Sequence, residues 1–247
     1  MRLALISDIH EDVVNLQKTL RAIELEHCNE IICLGDIVGF SELYYQHGNT
    51  RNASECIRLV KENCTWIVPG NHDYHAAKRI PYSNRGFSYP NNWYDLNEQE
   101  QDETGGSLVW LYNDGELDAG LSDDEIQWLR GLPESILINI NNKPILLTHY
   151  IFPNTTGSFR SFVVKTKEFE QHKEFMKNQE ALYSFCGHAH SRRMVIASKR
   201  IKYRQFNSSS KLKEFDSVLI PSLVKSNHES GFCIFDTNRL SVTAKRI

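Results

Sequence analysis

The chain has 247 residues, of which 40% are hydrophobic and 24% are charged. These fractions are close to those of globular proteins and argue against wholesale disorder, a fibrous repeat or a membrane bundle. With 28 Lys and Arg residues against 31 Asp and Glu residues, the net charge is −3, which gives no indication of a protein that coats polyanions. At this length one hydrophobic core is large enough to hold buried polar side chains.

The cysteines and the first residues of the chain indicate a reduced compartment. The six cysteines are scattered, and no two are separated by only two residues, so neither a zinc-ribbon spacing nor a redox pair is present. The apolar run at residues 3–6 ends at Ser7-Asp8, which makes it too short for a signal peptide or a membrane span. We therefore expect reduced thiols, a cytoplasmic location and no membrane association.

The first 72 residues alternate short apolar runs with stretches of helical periodicity. The apolar runs at residues 3–6, 30–34 and 65–68 are typical of buried strands. Between them, residues 13–23 and 53–60 place apolar side chains three and four positions apart, as on one face of a helix. This order predicts βαβ units and a parallel sheet, in which ligands bind where the strands end.

Two later segments lack this periodicity. Residues 74–120 contain many Gly, Asn and aromatic residues and no long periodic run, so we interpret them as an insertion or lid over the site. A second excursion, over residues 154–180, ends in a charged helix. Between the two, Ser122 and Glu125 form a capping box for a helix over residues 123–132.

The remaining apolar runs are short and predict strands. Residues 136–140 and 144–148 flank the turn signal Asn141-Asn142. Because the sequence has no internal repeat and no clear boundary, we expect residues 1–247 to form a single domain. The runs assigned to a second sheet lie at residues 182–186, 194–197, 218–220, 231–236 and 240–244.

Polar side chains with metal-binding chemistry follow five of the apolar runs. Asp8-Ile9-His10 follows the first run, and its carboxylate and imidazole project to one side because residues two apart share a face of a strand. The other motifs are Gly35-Asp36 with Gly39 beyond it, Gly70-Asn71-His72-Asp73, His149 after Leu146-Leu147-Thr148, and Gly187-His188-Ala189-His190. We expect these oxygen and nitrogen ligands to meet at one edge of the sheet.

These motifs, in this order, resemble the signature of the calcineurin-like metallophosphoesterase superfamily: D-x-H, G-D-x-x-G, G-N-H-[DE], a lone His and G-H-x-H. The resemblance covers residues 8–190, and residues 221–236 are similar to the closing strands of the family. It implies an α/β fold of four layers, α/β/β/α, in which two mixed sheets are flanked by helices. Gly39-Phe40 stands where protein Ser/Thr phosphatases continue G-D-x-x-D-R-G, so the chain is closer to the small prokaryotic-type phosphodiesterase branch.

The resemblance implies a site for two metal ions that share one carboxylate. The ligands it assigns are Asp8, His10, Asp36 and His190 for one ion, and Asp36, Asn71, His149 and His188 for the other. Imidazole, carboxylate and amide ligands suit manganese, iron, zinc or nickel, of which we expect manganese. On a formal count, two divalent ions, two carboxylates and a bridging hydroxide leave a charge of about +1, which attracts a phosphodiester monoanion.

His72 is the remaining histidine of these motifs, and the resemblance implies that it is the general acid that protonates the departing alkoxide while water attacks. The unperturbed imidazole pKa of about 6.5 suits this role near neutrality. Asp73 either orients His72 or caps a helix. Glu11, at a position where many family members have Gly, either faces the metals and removes positive charge, points to solvent, or caps the helix that begins at Val13, for which Asp12 is a second candidate.

Several other residues are expected to be structural. We expect Gly35, Gly70 and Gly187 at turns that need positive φ. The acidic run at residues 98–103 is expected to be a solvated face. The other histidines, expected in the core or at the surface, are His27, His47, His75, His172 and His228, of which His47 and His75 are closest to the site motifs in sequence.

The aromatic residues of the first insertion have two interpretations. They stack on a nucleobase, or they form a small core of their own. We favour the core because no basic stripe accompanies them. These residues are Tyr82, Phe87, Tyr89, Trp93 and Tyr94.

The leading hypothesis for function is a phosphodiesterase with two metal ions that acts on a small nucleotide-like or other phosphoester. The alternatives are a phosphomonoesterase and a scaffold that keeps the fold but binds a protein partner, as the retromer subunit of this superfamily does. The intact ligand set and His72 argue against the scaffold. The sequence indicates no nucleic-acid surface, and it leaves the natural substrate and the oligomeric state open.

Overall fold

The computed structural model describes residues 1–82, 85–112, 115–160, 166–198 and 200–247, with Thr166 by its backbone alone. Parts of the two predicted excursions, residues 83–84, 113–114 and 161–165, therefore lie outside the described residues. The helices are α1 (Val13–Leu25), α2 (Ala53–Asn63), α3 (Asn71–Ala76), α4 (Glu98–Gly105), α5 (Asp123–Gly131) and α6 (Thr166–Asn178), with 3-10 helical turns at Gly48–Thr50 and Trp93–Asp95. No helix in the described part of the chain has the length and apolar character needed to cross a bilayer.

The strands form two large mixed sheets and one short pair. They are β1 (Arg2–Ile6), β2 (Glu30–Cys33), β3 (Phe40–Ser41), β4 (Trp66–Ile67), β5 (Glu116–Leu117), β6 (Ser135–Ile140), β7 (Lys143–Thr148), β8 (Tyr183–Cys186), β9 (Met194–Ala197), β10 (Ile201–Arg204), β11 (Ser209–Lys211), β12 (Asp216–Leu219), β13 (Gly231–Asp236) and β14 (Ser241–Arg246). The first sheet has the order β11-β14-β13-β1-β2-β4, the second β10-β9-β12-β8-β7-β6, and β3 pairs with β5. As predicted, β1, β2 and β4 are parallel.

The alternation of side chains along β1 explains the layers. Leu3 and Leu5 face the second sheet and belong to a core that both sheets share. Ala4 and Ile6 face the opposite way and pack with α1, α2 and α5. On the far side of the second sheet, Met176 of α6 packs against that sheet. The predicted α/β/β/α sandwich of two mixed sheets flanked by helices is confirmed.

The last two strands join the first sheet, whereas the sequence predicted them in the second. β13 pairs antiparallel with β1, with Phe235 opposite Leu3, and β14 pairs with β13. Both faces of β13 are buried, because Cys233 and Phe235 lie between the sheets while Phe232 and Ile234 pack under the helices. A strand buried on both faces is one continuous apolar run, and such a run does not indicate its partner.

The described parts of the first insertion contain a small core. Its buried residues are Trp93, Val109 and Leu111 of this insertion and Phe159 of the second excursion. The partly buried aromatic residues packed against it are Phe87, Tyr89 and Tyr94. The core interpretation is thus confirmed for these aromatic residues and wrong for Tyr82, which is 92% exposed. The acidic side chains of residues 98–103 lie on α4 and are exposed, as predicted.

Candidate functional site

The predicted site residues meet at the carboxyl ends of strands of both large sheets. They are Asp8 and His10 after β1, Asp36 after β2, Asn71 and His72 after β4, His149 after β7, and His188 and His190 after β8. Ligand atoms of Asp8, His10, Asp36 and His190 all lie within 4.8 Å of one another, and so do those of Asp36, His149 and His188. Asp36 belongs to both groups, which is the geometry that a bridging ligand needs.

Asn71 lies beside the second group. Its side-chain Oδ1 is buried and has no hydrogen-bond partner in the described part of the chain. A Cβ added at Gly157 would lie 2.8 Å from this oxygen and 2.5 Å from Nδ1 of His188, so Asn71 and His188 are close neighbours. A buried amide oxygen without a partner is rare in proteins, and a cation is one ligand that would satisfy it.

Backbone carbonyls orient two of the histidines. Nδ1 of His10 lies 2.7 Å from the carbonyl oxygen of Gly39, and Nδ1 of His149 lies 2.5 Å from that of Leu34. Each Nδ1 donates its proton to the carbonyl, so Nε2 is the atom that faces the cluster. These Nε2 atoms lie 3.6 and 3.2 Å from Oδ2 of Asp36. Carbonyl groups orient metal-binding imidazoles in the same way.

The charges of the cluster shift the pKa values of its members. Burial acts to raise the pKa of Asp36, but His149 and His72 outweigh it and hold this pKa well below its usual range. Burial acts to lower the pKa of His149, but Asp36 outweighs it and raises this pKa to about 9. Burial, with a smaller effect of His149, lowers the pKa of His188 to about 3, so this imidazole is neutral.

The backbone that carries the candidate ligands is strained. Left-handed conformations cost a residue other than Gly about 1–2 kcal/mol. Such strain is concentrated at functional sites because the surrounding fold must impose it. The residues of this region with φ between 42° and 64° are Asp8, His10, Glu11, Asp36, His188 and His190.

The motif glycines serve mainly to make room. Of the three that were expected at positive φ, Gly35 has a φ of +92°, whereas Gly70 has a φ of −97° and Gly187 is outside the positive region. A Cβ on Gly70 would clash with the carboxylate of Asp36, and one on Gly187 would clash with the hydroxyl of Ser7. The predicted positive φ is therefore wrong for Gly70 and Gly187. These positions need Gly because a neighbouring side chain lies too close to leave room for a Cβ.

Glu11 takes none of the predicted roles. Its buried side chain accepts a hydrogen bond from the backbone N–H of Gly39 at 3.1 Å and forms an ion pair with Arg51 at 3.0 Å. Burial raises the pKa of Glu11, and Arg51 opposes this effect. The helix cap comes from Asp12, whose side chain accepts from the N–H of Asn15 at the start of α1.

Asp73 caps α3 and also holds the loop after β2. Its Oδ2 accepts from the N–H of Gly70 at 2.9 Å, and its Oδ1 accepts from the N–H groups of Ile37 and Val38 at 2.9 and 3.1 Å. Burial and the nearby Asp36 raise the pKa of Asp73 to about 7. The capping interpretation is confirmed.

The carboxylate that contacts His72 comes from the first insertion. Oε2 of Glu116 lies 2.7 Å from Nδ1 of His72, and both side chains are largely buried. Burial acts to lower the pKa of His72, but Glu116 outweighs it and raises this pKa to about 9. The backbone N–H of His72 donates to Oδ1 of Asp36 at 2.9 Å, which holds the histidine next to the shared carboxylate.

Glu116 is the site residue that the sequence reasoning missed. It lies on a strand of two residues, β5, whose pairing with β3 places Glu116 opposite Ser41. A strand this short has no periodicity that would reveal it. No local pattern in the sequence links Glu116 to His72, since the two residues meet only through the fold.

A cavity of about 440 Å³ opens onto the cluster. The ligand end of this cavity is polar, and no Lys or Arg lines it in the described part of the chain. Its apolar and aromatic lining residues are Leu43, Tyr44, Tyr45, Trp110, Leu111 and Tyr112. Its volume and mixed lining are typical of a small-molecule site.

Two of the histidines without motif support lie next to the site, and a third lines the cavity. Nε2 of His47 lies 2.8 Å from the carbonyl oxygen of His10. His75 stacks on Tyr112 with ring centroids 3.9 Å apart, and His228 lines the cavity. His228 is partly exposed there, which is consistent with the expected surface position.

Comparisons with known proteins agree with this geometry. The chain matches the family described as calcineurin-like phosphoesterase over residues 1–192. A relative, uncharacterized protein MJ0912 of Methanocaldococcus jannaschii, is 27% identical over 163 residues, which cover 62% of this chain and 54% of that protein. The match thus spans about half the length of this relative.

Two solved structures have a similar fold. A metallophosphoesterase from Sphaerobacter thermophilus is 17% identical, with a TM-score of 0.64 over 100% of this chain and 88% of that chain. The hypothetical protein PH1004 from Pyrococcus horikoshii OT3 is 15% identical, with a TM-score of 0.59 over 100% of this chain and 87% of that chain. At these identities the likeness shows the fold alone.

Proposed function

Because this chain belongs to the calcineurin-like phosphoesterase family, we propose that it is a metal-dependent phosphoesterase that hydrolyses a small phosphodiester at a two-ion site. The observation that carries the proposal is the position of Asp36, which belongs to both groups of ligand atoms. We propose that residues 1–247 act as one domain, and that the enzyme is cytoplasmic, as the scattered spacing of its cysteines favours.

The residues present fit a pair of cations. The unpartnered Oδ1 of Asn71 and the orientation of His10 and His149 by carbonyls support this fit. We propose manganese, with iron, zinc or nickel also compatible with these donors. When bound, two divalent cations activate water and neutralise the charge that develops on the phosphoryl oxygens. The proposed ligands are Asp8, His10, Asp36 and His190 for one ion, and Asp36, Asn71, His149 and His188 for the other.

His72 is the proposed general acid. Glu116 raises the pKa of its imidazole, which favours the protonated form that a general acid needs, and the hydrogen bond from the backbone of His72 to Asp36 holds it beside the cluster. From there His72 gives a proton to the oxygen of the leaving group, which avoids the release of an alkoxide. Glu116 is a positioning residue, because it acts through His72.

The lining of the cavity supports a diester substrate. A phosphodiester has one negative charge and two organic groups, whereas a monoester approaches two negative charges and has one organic group. The cavity offers Tyr44, Tyr45, Trp110 and Tyr112 to an organic group, and its described lining has no Lys or Arg for extra charge. Rings of this kind suit a planar group such as a nucleobase.

The test combines metal analysis with activity. We expect the chain, grown with ample manganese, iron and zinc, to hold two ions and to cleave bis-p-nitrophenyl phosphate with a higher kcat/KM than p-nitrophenyl phosphate. Asp36→Asn should lower kcat on bis-p-nitrophenyl phosphate by about 100-fold or more, and His72→Ala should do so on a diester with an alkyl leaving group, which departs only with a proton. His27→Ala, which changes an exposed histidine, is the matched control.

The alternative outcomes are distinct. A preference for p-nitrophenyl phosphate would replace the diesterase by a phosphomonoesterase. A folded protein that stays empty of metal and is inactive would contradict the proposal and favour the scaffold function. The same conclusion would follow if the two site variants kept the activity of the control.

A further inference from the structure

A second cavity, of about 640 Å³, lies where both sheets end. β10 is the edge strand of the second sheet, β11 is the edge strand of the first, and residues of both line this cavity together with Lys173 of α6. It shares no lining residue with the cavity beside the ligand cluster, as far as the described chain shows. We call it the basic cleft, because of the residues described next.

The charge of the basic cleft is opposite to that of the chain. Its cationic lining residues are Lys173, Arg200, Lys202, Arg204, Lys211 and Lys213. Glu214 and Asp216 are the acidic lining residues, so the cleft has a net charge of four positive units on a chain whose net charge is −3. None of the six cationic side chains forms an ion pair within 4.0 Å with a described residue.

The strand register places two of these cations, the exposed Lys202 and the half-buried Arg204, on the face of β10 that is continuous with the core between the sheets. Lys202 lies opposite Ile196, which belongs to the core between the sheets, and Arg204 shares its face of β10. Nε of Arg204 is buried without a hydrogen-bond partner in the described chain. On the other sheet, Ser210 lies opposite Val242 of the same core. At this open end of the sandwich, the core between the two sheets is therefore bordered by hydrogen-bond donors. They are the guanidinium of Arg204, the ammonium of Lys202 and the hydroxyl of Ser210.

Protection of the sheet edges does not account for this arrangement. Charged residues on edge strands, Lys above all, prevent pairing with another sheet, and this role accounts for Lys202, Arg204 and Lys211 at most. Moreover, Lys173 comes from α6 and Lys213 from the segment after β11, so these two are not on edge strands.

Asp216 offsets part of the charge of Lys173, Lys202 and Lys213. The remaining like charges repel one another over the range of about 10 Å that 0.1 M salt leaves unscreened, and a bound anion would relieve this repulsion.

We infer that the basic cleft binds a small anion that carries several phosphate groups. Arg side chains bind phosphate oxygens through two parallel N–H donors, Lys side chains add point charge, and the hydroxyls of Ser198 and Ser210 add neutral donors. The volume is in the range of small-molecule sites, and the cations surround one concavity rather than forming the stripe that tracks a nucleic acid. The inference is independent of the proposed activity, because the two cavities are separate.

Calorimetric titration of the full chain with inorganic tripolyphosphate, without added divalent ions, tests this inference. The first variant is Lys202→Ala/Arg204→Ala, and the second is Lys211→Ala/Lys213→Ala on the other side of the cleft. The control is Lys18→Ala/Arg21→Ala, which removes two exposed charges from α1. We expect each cleft variant to bind about tenfold more weakly or worse, and the control to bind like the unchanged chain.

Several results would overturn the inference. They are no binding by the unchanged chain, equal weakening in the control, or equal affinity for inorganic monophosphate. Tighter binding of single-stranded DNA than of tripolyphosphate, lost in the cleft variants, would assign the cleft to nucleic acid instead. Thermal unfolding of each variant verifies that it is folded, and the second pair keeps the test decisive if the first pair fails to fold.

Discussion

Nδ1 of His72 lies 2.7 Å from Oε2 of Glu116, although the two residues belong to separate parts of the fold. His72 lies on α3, directly after the proposed ligand Asn71, whereas Glu116 lies on β5 in the first insertion. The pairing of β5 with β3 connects them, because it ties the insertion to the loop that contains Gly39. The proposed proton donor thus depends on a contact between the central sheet region and a surface segment.

Glu116→Gln tests this dependence, since it keeps the shape of the side chain and removes its charge. We expect kcat to fall by about 10- to 100-fold on a diester with an alkyl leaving group, which needs a proton from His72. On p-nitrophenyl esters, whose leaving group is stable as an anion, we expect a fall of about threefold or less. KM should change little on either substrate.

The control for this change is Glu98→Gln on the exposed face of α4. Equal losses on the two substrates would mean that Glu116 only supports the structure. The role as a positioning residue would then be wrong.

Gly157→Ala should disturb the second group of ligands. The residue has a φ of +80°, and its added Cβ would lie 2.5 Å from Nδ1 of His188 and 2.8 Å from Oδ1 of Asn71. We expect a loss of stability of about 1–3 kcal/mol and a lower metal content by elemental analysis. Gly131→Ala is the matched control, because a Cβ there meets no atom within 4 Å. Unchanged metal content in Gly157→Ala would contradict the placement of the second ion.

Asp73 should be essential for stability. Asp73→Ala leaves three buried N–H groups, those of Ile37, Val38 and Gly70, without their acceptor. At about 1–3 kcal/mol for each group, the unfolding free energy in urea should fall by about 3 kcal/mol or more. Asp73→Asn keeps one acceptor oxygen and should lose less than half of that amount.

Asp124→Ala serves as the control for Asp73, since it removes an exposed acid from the first turn of another helix. If Asp73→Ala lost as little unfolding free energy as this control, other acceptors would have to bind the backbone N–H groups of the loop after β2.

His172 should make the fold sensitive to acid. It is fully buried, its Nδ1 accepts from the N–H of Phe152 at 2.9 Å, and its Nε2 lies 2.9 Å from the hydroxyl of Ser184. Burial lowers the pKa of His172 to about 3. Below the pKa of about 6.5 of an unfolded imidazole, the unfolded chain therefore binds a proton that the folded chain does not. Above that pH the buried neutral imidazole costs no stability. Below it, the free energy of unfolding falls by about 1.4 kcal/mol per pH unit, because acid favours the unfolded chain.

The measurement is the unfolding free energy in urea at pH 7 and pH 5. From pH 7 to pH 5, the unfolding free energy of the unchanged chain should fall by about 2 kcal/mol more than that of His172→Asn. The Asn side chain keeps an acceptor for the N–H of Phe152. Equal losses in the two proteins would show that His172 does not cause the acid sensitivity.

Sequence reasoning located the cluster of candidate ligands because each of them follows a strand within a few residues, as Asp8 and Asp36 do. The end of a strand can be recognised from a few neighbouring residues of the sequence. In a parallel sheet the residues that follow the strands lie together at one edge. Glu116 and the basic cleft depend instead on contacts between distant segments. Residues such as Lys202 and Lys173 become neighbours only through the order of strands in each sheet, which short apolar runs do not specify.

The short β3–β5 pair has a consequence for how such an enzyme can diversify. In this chain the partner of the proposed proton donor is supplied by a peripheral segment, while every proposed ligand follows a strand of the two large sheets. Replacement of that segment by another would change which leaving groups the proposed acid can protonate. The proposed metal ligands would stay the same. Substrate range and metal chemistry can thus be inherited separately within one architecture.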